Sequence, residues 1–417
     1  MSRSSLAVLG LLGILGAFAA CSAVSDDRRT FDDDSSGESG QGGAGSGATG
    51  GGPGSTGIGG GFNPATGAGG WTGTGACNSD PATDDDGDGF LEPADCNDCD
   101  ANVNPAAIEV IAEGGQCGGG GGGTPADEDC DGVVDNVAGT CDGGIVLDDA
   151  DPLRAAQAVD LCRQASGPED WGILGAQYVR ASGAPVNGAS MQHGVFSAFG
   201  SNVTPRGGER MLALSTGRAR IPGQHGACGA LTCTGLGPGQ APPGFPQDVA
   251  NCPGDTDIND DIALEVRLRA PSNATGYKFN FRFYSFEYPE WICSSFNDQF
   301  IALVNPPPAG SVNGNISFDS QHNPVSVNVA FFEVCQGCLL GTSELVGTGF
   351  DTWNDAGGTG WLATSAPIAG GEEFTVRFAI WDTGDQAWDS TAVIDNFEWI
   401  ANGGTVVVAT EPEPEVE

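Results

Sequence analysis

Between Ile262 and Ile400 apolar side chains recur at alternate positions, and no other feature constrains the fold of this chain as tightly. Successive residues of an extended strand point to opposite faces, so Ile262-Leu264-Val266-Leu268 and Tyr277-Phe279-Phe281-Phe283 each present one unbroken apolar face. Phe300-Ala302-Val304, Val325-Val327-Val329 and Phe374-Val376-Phe378-Ile380 repeat the pattern between Pro, Gly and Asn turns, and Ala392 to Ile400 closes the series. Strands with one apolar face belong to antiparallel sheets, and a stretch of about 240 such residues suits one core. The chain is therefore expected to be mainly β, with a C-terminal antiparallel β-sandwich, jelly-roll-like, over residues 150–402. Asp151-Pro-Leu-Arg-Ala-Ala-Gln-Ala-Val-Asp-Leu-Cys162 reads as a short helix, with Asp151 as N-cap, Pro152 at its first position and Leu153, Ala156 and Val159 on one side.

The other end of the chain is built differently. One positive charge, Arg3, precedes the apolar run Leu6–Phe18, which is too short to span a bilayer as a helix and reads as a signal peptide over residues 1–20. Phe18-Ala-Ala-Cys21 places small residues before a cysteine, as lipoprotein signal peptidase requires, although Phe18 stands where Leu is more usual. The alternative is an ordinary signal peptide cut near Ala20. On the lipoprotein reading Cys21 carries the lipid, and Ser22 after it suggests delivery to the outer membrane of a Gram-negative bacterium. Residues 21–76 are Gly, Ser, Thr and Asp with few apolar side chains, the composition of a disordered tether. The tail, residues 403–417, is acidic and is expected to be disordered as well.

A chain carrying 55 acidic and 15 basic residues, with a formal charge of −40, is repelled by nucleic acid and by anionic lipid and attracts cations. Its fourteen cysteines, in a chain exported to an oxidising compartment, point to disulfides. With Cys21 lipidated an odd number remains, so one more is free, modified or paired between chains. Residues 77–141 combine Asp, Asn, Gly and Cys with almost no aromatic side chain, so this small module is expected to be held by metal and disulfides in place of an apolar core. Gly118 to Gly123 reads as a flexible insertion within it.

Inside that module, Asp84-Asp-Asp-Gly-Asp-Gly-Phe-Leu-Glu-Pro-Ala-Asp95 follows the EF-hand calcium loop. Asp84, Asp86 and Asp88 fill positions 1, 3 and 5, Gly89 the turn at 6, the Phe90 carbonyl position 7 and Glu92 position 9, while Asp95 replaces the bidentate Glu at 12. The stretch Asp127-Glu-Asp-Cys-Asp-Gly-Val-Val-Asp135 repeats the pattern with Asp127, Asp129, Asp131, the Val133 carbonyl and Asp135, but Ala138 stands at position 12. Its last ligand must come from elsewhere, and Asp98 or Asp100 is available. Oxygen donors of this kind favour calcium over copper or zinc.

Asp84-x-Asp-Gly-Asp-Gly89, Asp95-Cys96, Val103-Asn-Pro-Ala106, Glu109 and Asp129-Cys-Asp-Gly-Val-Val-Asp135 together resemble the metal-binding motif of MopE-like secreted bacterial proteins, common in myxobacteria. That family is named for copper binding, so the resemblance keeps copper open, but this stretch has no His, Met or Trp to hold it. Farther on, Phe286-Glu-Tyr-Pro-Glu-Trp291, Phe296-Asn-Asp-Gln-Phe300, Asp382-Thr-Gly-Asp-Gln-Ala-Trp-Asp-Ser390 and Ile394-Asp-Asn396 resemble the choice-of-anchor L domain of bacterial surface proteins, as do Leu212-Ala-Leu-Ser-Thr-Gly217 and Pro253-Gly-Asp-Thr-Asp257. The resemblance covers roughly Gly172 to Ile400 and implies no enzymatic activity. Cys228, Cys233, Cys252, Cys293, Cys335 and Cys338 depart from it and are expected to staple loops.

Two further acidic sets, Glu287, Glu290 and Asp298, then Asp382, Asp385 and Asp389, are placed in loops, where they either bind a second metal or cap turns. Trp291, Trp381 and Trp388 could stack on a sugar or pack internally. Glu287 with Glu290 would be the pair for a glycosidase, but their spacing fixes no separation. His193, His225 and His322 stand apart from any catalytic motif and read as structural or exposed, and Cys335-Gln-Gly-Cys338 reads as a disulfide. The expected protein is a non-enzymatic, calcium-binding surface lipoprotein held to the membrane by its lipid, with a sandwich that binds a surface protein or polysaccharide. Copper scavenging and a carbohydrate-active sandwich are the alternatives.

Overall fold

The computed structural model describes residues 81–111, 125–136, 139–186, 191–329, 331–353, 356–401 and 404–413. The signal segment, Cys21, the tether and the glycine run lie outside the described residues. Two antiparallel sheets form the sandwich. One holds, in spatial order, β1 (Gly172–Val179), β4 (Ile258–Arg269), β11 (Glu373–Thr383), β6 (Gln299–Asn305) and β7 (Val325–Ser326). The other runs β13 (Ala409–Pro412), β10 (Leu362–Pro367), β5 (Gly276–Ser285), β12 (Ser390–Ile400), β3 (Met211–Ser215) and β2 (His193–Phe196). Beside it, β9 (Gly357–Thr359) pairs with the end of β5 and with β8 (Phe332–Val334).

The alternating apolar residues meet between the sheets. Phe279 and Phe281 of β5 face Phe378 of β11 and Phe300 of β6, with ring centres 5.0 and 4.7 Å apart, and Tyr277 stacks on Phe374 at 5.1 Å. Burying each such ring contributes about 1.5–3 kcal/mol. The outward faces are covered too. Loops carrying Phe199, Leu345, Phe350 and Trp361 close over Ala213, Tyr284 and Val393, while Phe245 lies against Trp381 on the opposite sheet.

Some expectations need correction. The helix, α1, spans only Pro152–Gln157, although Asp151 caps it as expected through the Leu153 amide at 2.9 Å. Of the Val325 series only Val325–Ser326 is strand, and Val327 and Val329 are buried from a loop. The acidic tail contributes β13, which adds to β10 because Thr410 reaches Thr364 through its hydroxyl at 2.8 Å. The Asp/Cys module is not without apolar contacts: Val103, Ala106 and Ala107 are buried.

His193 is buried on β2, stacked on Tyr178 with ring centres 4.0 Å apart. Burial, aided by the charge of Arg220, pushes its pKa from 6.5 down to about 4. An unfolded chain therefore takes up a proton on this ring at a pH where the folded one does not, and stability falls as pH drops from 6.5 towards 4. His193→Phe keeps the stack and removes the proton site. Thermal melts of both proteins across that window are expected to show the variant losing less stability, by up to about 3 kcal/mol.

Candidate metal centre

The two aspartate loops fold alike. In the first, the Asp84 carboxylate accepts from the amides of Gly87 at 2.6 Å and Gly89 at 3.0 Å, Asp86 from Asp88 at 3.2 Å, and Asp88 from Phe90 at 2.8 Å. In the second, Asp127 accepts from Asp131 at 3.1 Å and Gly132 at 3.0 Å, Asp129 from Asp131 at 3.2 Å, and Asp131 from Val133 at 2.8 Å. Both loops turn through left-handed backbone at the same two places: Gly87 and Gly89 have φ of 83° and 97°, and their counterparts Cys130 and Gly132 have 54° and 91°. Only glycine adopts this region without steric cost.

Each loop gathers its carboxylates into two overlapping groups. Asp86, Asp88 and Asp95 bring one oxygen each within 4.8 Å of one another, and so do Asp84, Asp86 and Asp98. Asp95, at 1% exposure, has an oxygen that receives no hydrogen bond. Burial, then repulsion from neighbouring acids, raises the pKa of Asp86, Asp88 and Asp95 above the usual carboxylate range, so the group lacks a counter-charge. Glu92 falls outside both groups.

The second loop is completed by residues other than those expected. Glu109 gathers with Asp127 and Asp129, and again with Glu128 and Asp135. Asp98 serves the first loop, and Asp100 accepts from the amide of Asn102 in its own turn at 3.2 Å. Asp131 accepts from the side chain of Asn136 at 2.6 Å, and Val133 is exposed. Burial raises Glu109 to about 7, and Asp129 and Glu128 add repulsion. Its amide partners, Asp129 at 3.5 Å and Asp135 at 2.8 Å, hold it at the centre of the loop. Spacing within the loop could not identify Glu109, which is 18 residues before Asp127 along the chain.

A Cys96–Cys130 disulfide joins the loops. The module rests on the turn between β4 and β5: Ser272 donates to Asn104 through its hydroxyl at 2.7 Å and to Ala106 through its amide at 2.9 Å, while Asn273 and Ile108 exchange bonds of 3.0 and 2.8 Å.

The later acidic residues divide. Glu287, Asp298 and Asp382 are buried, at 2%, 0% and 1% exposure, and Asp382 lies on β11, not in a loop. Glu290 is exposed, and Asp385 accepts from the amide of Ala387 in a turn at 2.9 Å. Asp389 faces a cavity of about 310 Å³ shared with Arg218, Phe286 and Phe350, and accepts from the amide of Cys233. Glu287 therefore shares no solvent-facing cleft with Glu290. Of the three tryptophans, Trp381 is wholly buried, and the exposed Trp353 takes its place beside Trp388, which in turn touches Trp291. The stapling cysteines pair as Cys228–Cys233, Cys252–Cys293 and Cys335–Cys338, and Cys141 bonds Cys162.

The model of the choice-of-anchor L domain matches residues 175–397, more than half of the chain. The chain belongs to this family. No curated protein and no solved structure gave a match. In this choice-of-anchor L protein the matched region is the sandwich, and it begins after the aspartate loops, so the family accounts for the surface-protein domain and leaves the loops to be read from their own chemistry.

An ideal Cβ on Gly89 meets nothing within 4 Å, so Gly89→Ala tests the left-handed backbone alone. A loss of about 1–2 kcal/mol of local stability is expected. Hydrogen exchange at the Phe90 amide, which Asp88 holds, measures it.

Proposed function

We propose that this protein is a non-enzymatic surface lipoprotein whose Asp/Cys module binds calcium and carries a sandwich that recognises a partner protein or polysaccharide. The observation that carries the calcium reading is the pair of like-folded loops, each gathering carboxylate oxygens into two groups that share one residue, Asp86 in the first and Glu109 in the second. Calcium takes six to eight oxygen ligands in flexible geometry, and carboxylates brought this close repel one another until a cation neutralises them. Copper would want nitrogen or sulfur. The cysteines within the loops, Cys96 and Cys130, are bonded to each other and offer no thiolate.

Two features support display. The module grips the turn that ends β4 and begins β5, while the exposed Trp291, which touches Trp388 and through it the exposed Trp353, comes after the other end of β5. Lipidation of Cys21, with delivery to the outer membrane, completes the reading and agrees with the loop motif's resemblance to secreted myxobacterial proteins.

Calcium titration of the full chain by calorimetry is expected to show binding that Asp86→Asn with Asp95→Asn removes at the first loop and Glu109→Gln weakens at the second, each by tenfold or more. Copper that binds these loops and is not displaced by calcium would overturn the assignment. Cys21→Ala is expected to release the protein from the membrane fraction, and a variant that stays bound would exclude the lipid anchor.

A further inference from the structure

On the outer face of the sheet that contains β3 and β12, the covering loops leave a cavity of about 310 Å³. That is the small end of the range, about 300–1,000 Å³, in which proteins bind small molecules. Its apolar wall is aromatic, made by Phe199, Phe286 and Phe350. Its polar groups are the Asp389 carboxyl, the Arg218 guanidinium and the hydroxyls of Ser215 and Thr391. Ser215 of β3 and Thr391 of β12 stand directly opposite each other in register, and the Thr391 hydroxyl donates to that of Ser215 at 3.0 Å.

The acid and the guanidinium are each fixed in place. Asp389 accepts from the Cys233 amide at 2.9 Å, and the Cys228–Cys233 disulfide, both of whose residues line the cavity, closes that loop. The carboxyl leans over Gly217, where an ideal Cβ would collide with it. Burial, against the pull of the Cys233 amide, raises Asp389 to about 8, and Asp298 and Asp260 add repulsion. Near neutral pH it therefore faces the cavity mostly as the neutral acid, able to donate as well as accept. Arg218 donates to the Gly226 carbonyl at 3.0 Å and, among the described residues, forms no ion pair.

An acid and a guanidinium that face one aromatic-walled space without bonding each other suit a polyhydroxylated ring. Its hydroxyls donate and accept at once, while its C–H face packs on an aromatic ring, whose face is electron-rich. An apolar ligand would leave both polar groups unpaired, and an anionic one is repelled by a chain of formal charge −40. The aromatic wall also continues outward. Trp388 immediately precedes Asp389 and packs against the cluster that holds Phe199, Phe286 and Phe350, and Trp353 immediately follows Thr352, which lines the cavity. Trp291 and Trp353 meet Trp388 with ring centres 5.6 and 6.4 Å apart, and at 37% and 43% exposure both leave ring surface open to solvent.

We propose that this cavity is a carbohydrate site, which takes one sugar ring of a neutral polysaccharide against Arg218 and Asp389 while Trp388, Trp353 and Trp291 stack on the units that follow. The site rests on the recognition role proposed for the sandwich and, of the two partner classes, selects polysaccharide over protein.

The test titrates the full chain with neutral hexose and N-acetylhexosamine oligosaccharides of increasing length, from the single sugar upward, read by calorimetry and tryptophan fluorescence. Affinity is expected to rise with length. Arg218→Met and the near-isosteric Asp389→Asn are expected to weaken binding at every length by about tenfold or more. Gly217→Ala, which displaces the Asp389 carboxyl without altering it, is expected to match Asp389→Asn. Trp291→Ala and Trp353→Ala, at exposed positions, are expected to keep the single sugar bound and to remove the gain with length. Should the cavity variants fail to fold, these two still decide the matter, and a gain with length that both leave intact would overturn the proposal. Binding that a folded Arg218→Met leaves unchanged would overturn it too, as would a preference for uronic-acid chains or free amino acids. Protein that binds no oligosaccharide yet attaches to the surface of intact bacteria overturns the sugar site alone, whereas binding to neither overturns the recognition role with it.

Discussion

Everything else in this molecule is hung on the layer of aromatic and aliphatic side chains between the two sheets. Tyr277, Phe279, Phe281 and Phe283 enter it from one strand, and Phe374, Val376, Phe378 and Ile380 from another, so two central strands supply much of its contact. At about 1.5–3 kcal/mol for each large apolar side chain, the layer outweighs any single ion pair or hydrogen bond in the structure. Its rigidity allows the loops on both outer faces to be long and irregular. Those loops bury aromatics of their own, Phe199, Phe350 and Trp361 on one side and Phe245 on the other, and the disulfides 228–233, 252–293 and 335–338 lie within them.

The few cations of this acidic chain are concentrated where they secure that scaffold. Arg377 binds Glu265 across neighbouring strands and the carbonyl of Ala181 at 3.1 Å; Arg269 binds Glu373 and the carbonyls of Gly167 and Asp170. Arg282, buried on the outward face of β5, binds Glu344 and lies 4.9 Å from the centre of the Trp361 ring. Arginine suits such places because its flat fork meets a carboxylate or several carbonyls at once. A chain that commits its arginines to the sandwich has none inside residues 81–149, which contain no Lys or Arg at all.

Much of this was legible in the chain itself. Strands β4, β5, β6, β11 and β12 follow from the alternation of their residues, and the shared backbone of the two loops follows from the spacing of Asp and Gly, because both patterns are local. What the patterns withhold is partnership. Alternation shows that Trp381 and Ile380 face opposite ways, but the burial of Trp381 depends on Phe245, brought over from a distant loop. Loop spacing fixes Asp127 and Asp129, whereas Glu109 reaches them only because the chain folds back at the Asn104-to-Ala107 turn, whose Asn104 amide bonds the Glu128 carbonyl at 2.9 Å. Thr410 was hidden in an acidic tail, and pairing with β10 overrode a composition that argues against structure.

The same distinction explains why the acidic sets near residues 287 and 382 looked alike in sequence and part company in space. In the first set Glu287 and Asp298 keep the inward phase of a core strand and Glu290 does not; in the second only Asp382 does. Glu287 is in phase with Phe283, and Asp382 with Ile380, so both are carried into the interior by the strand that precedes them. Glu290 falls three residues beyond Glu287 in a turn, and Asp389 has the opposite phase to Ser390, which sends it to the outer cavity. Phase relative to the apolar series, counted past the point where the apolar residues stop, is thus the signal that separates a buried carboxylate from a turn cap. It requires no knowledge of the partner strands. It also shows why substitution of an acid for the next Phe or Ile is the change that turns the end of an apolar core into a polar one.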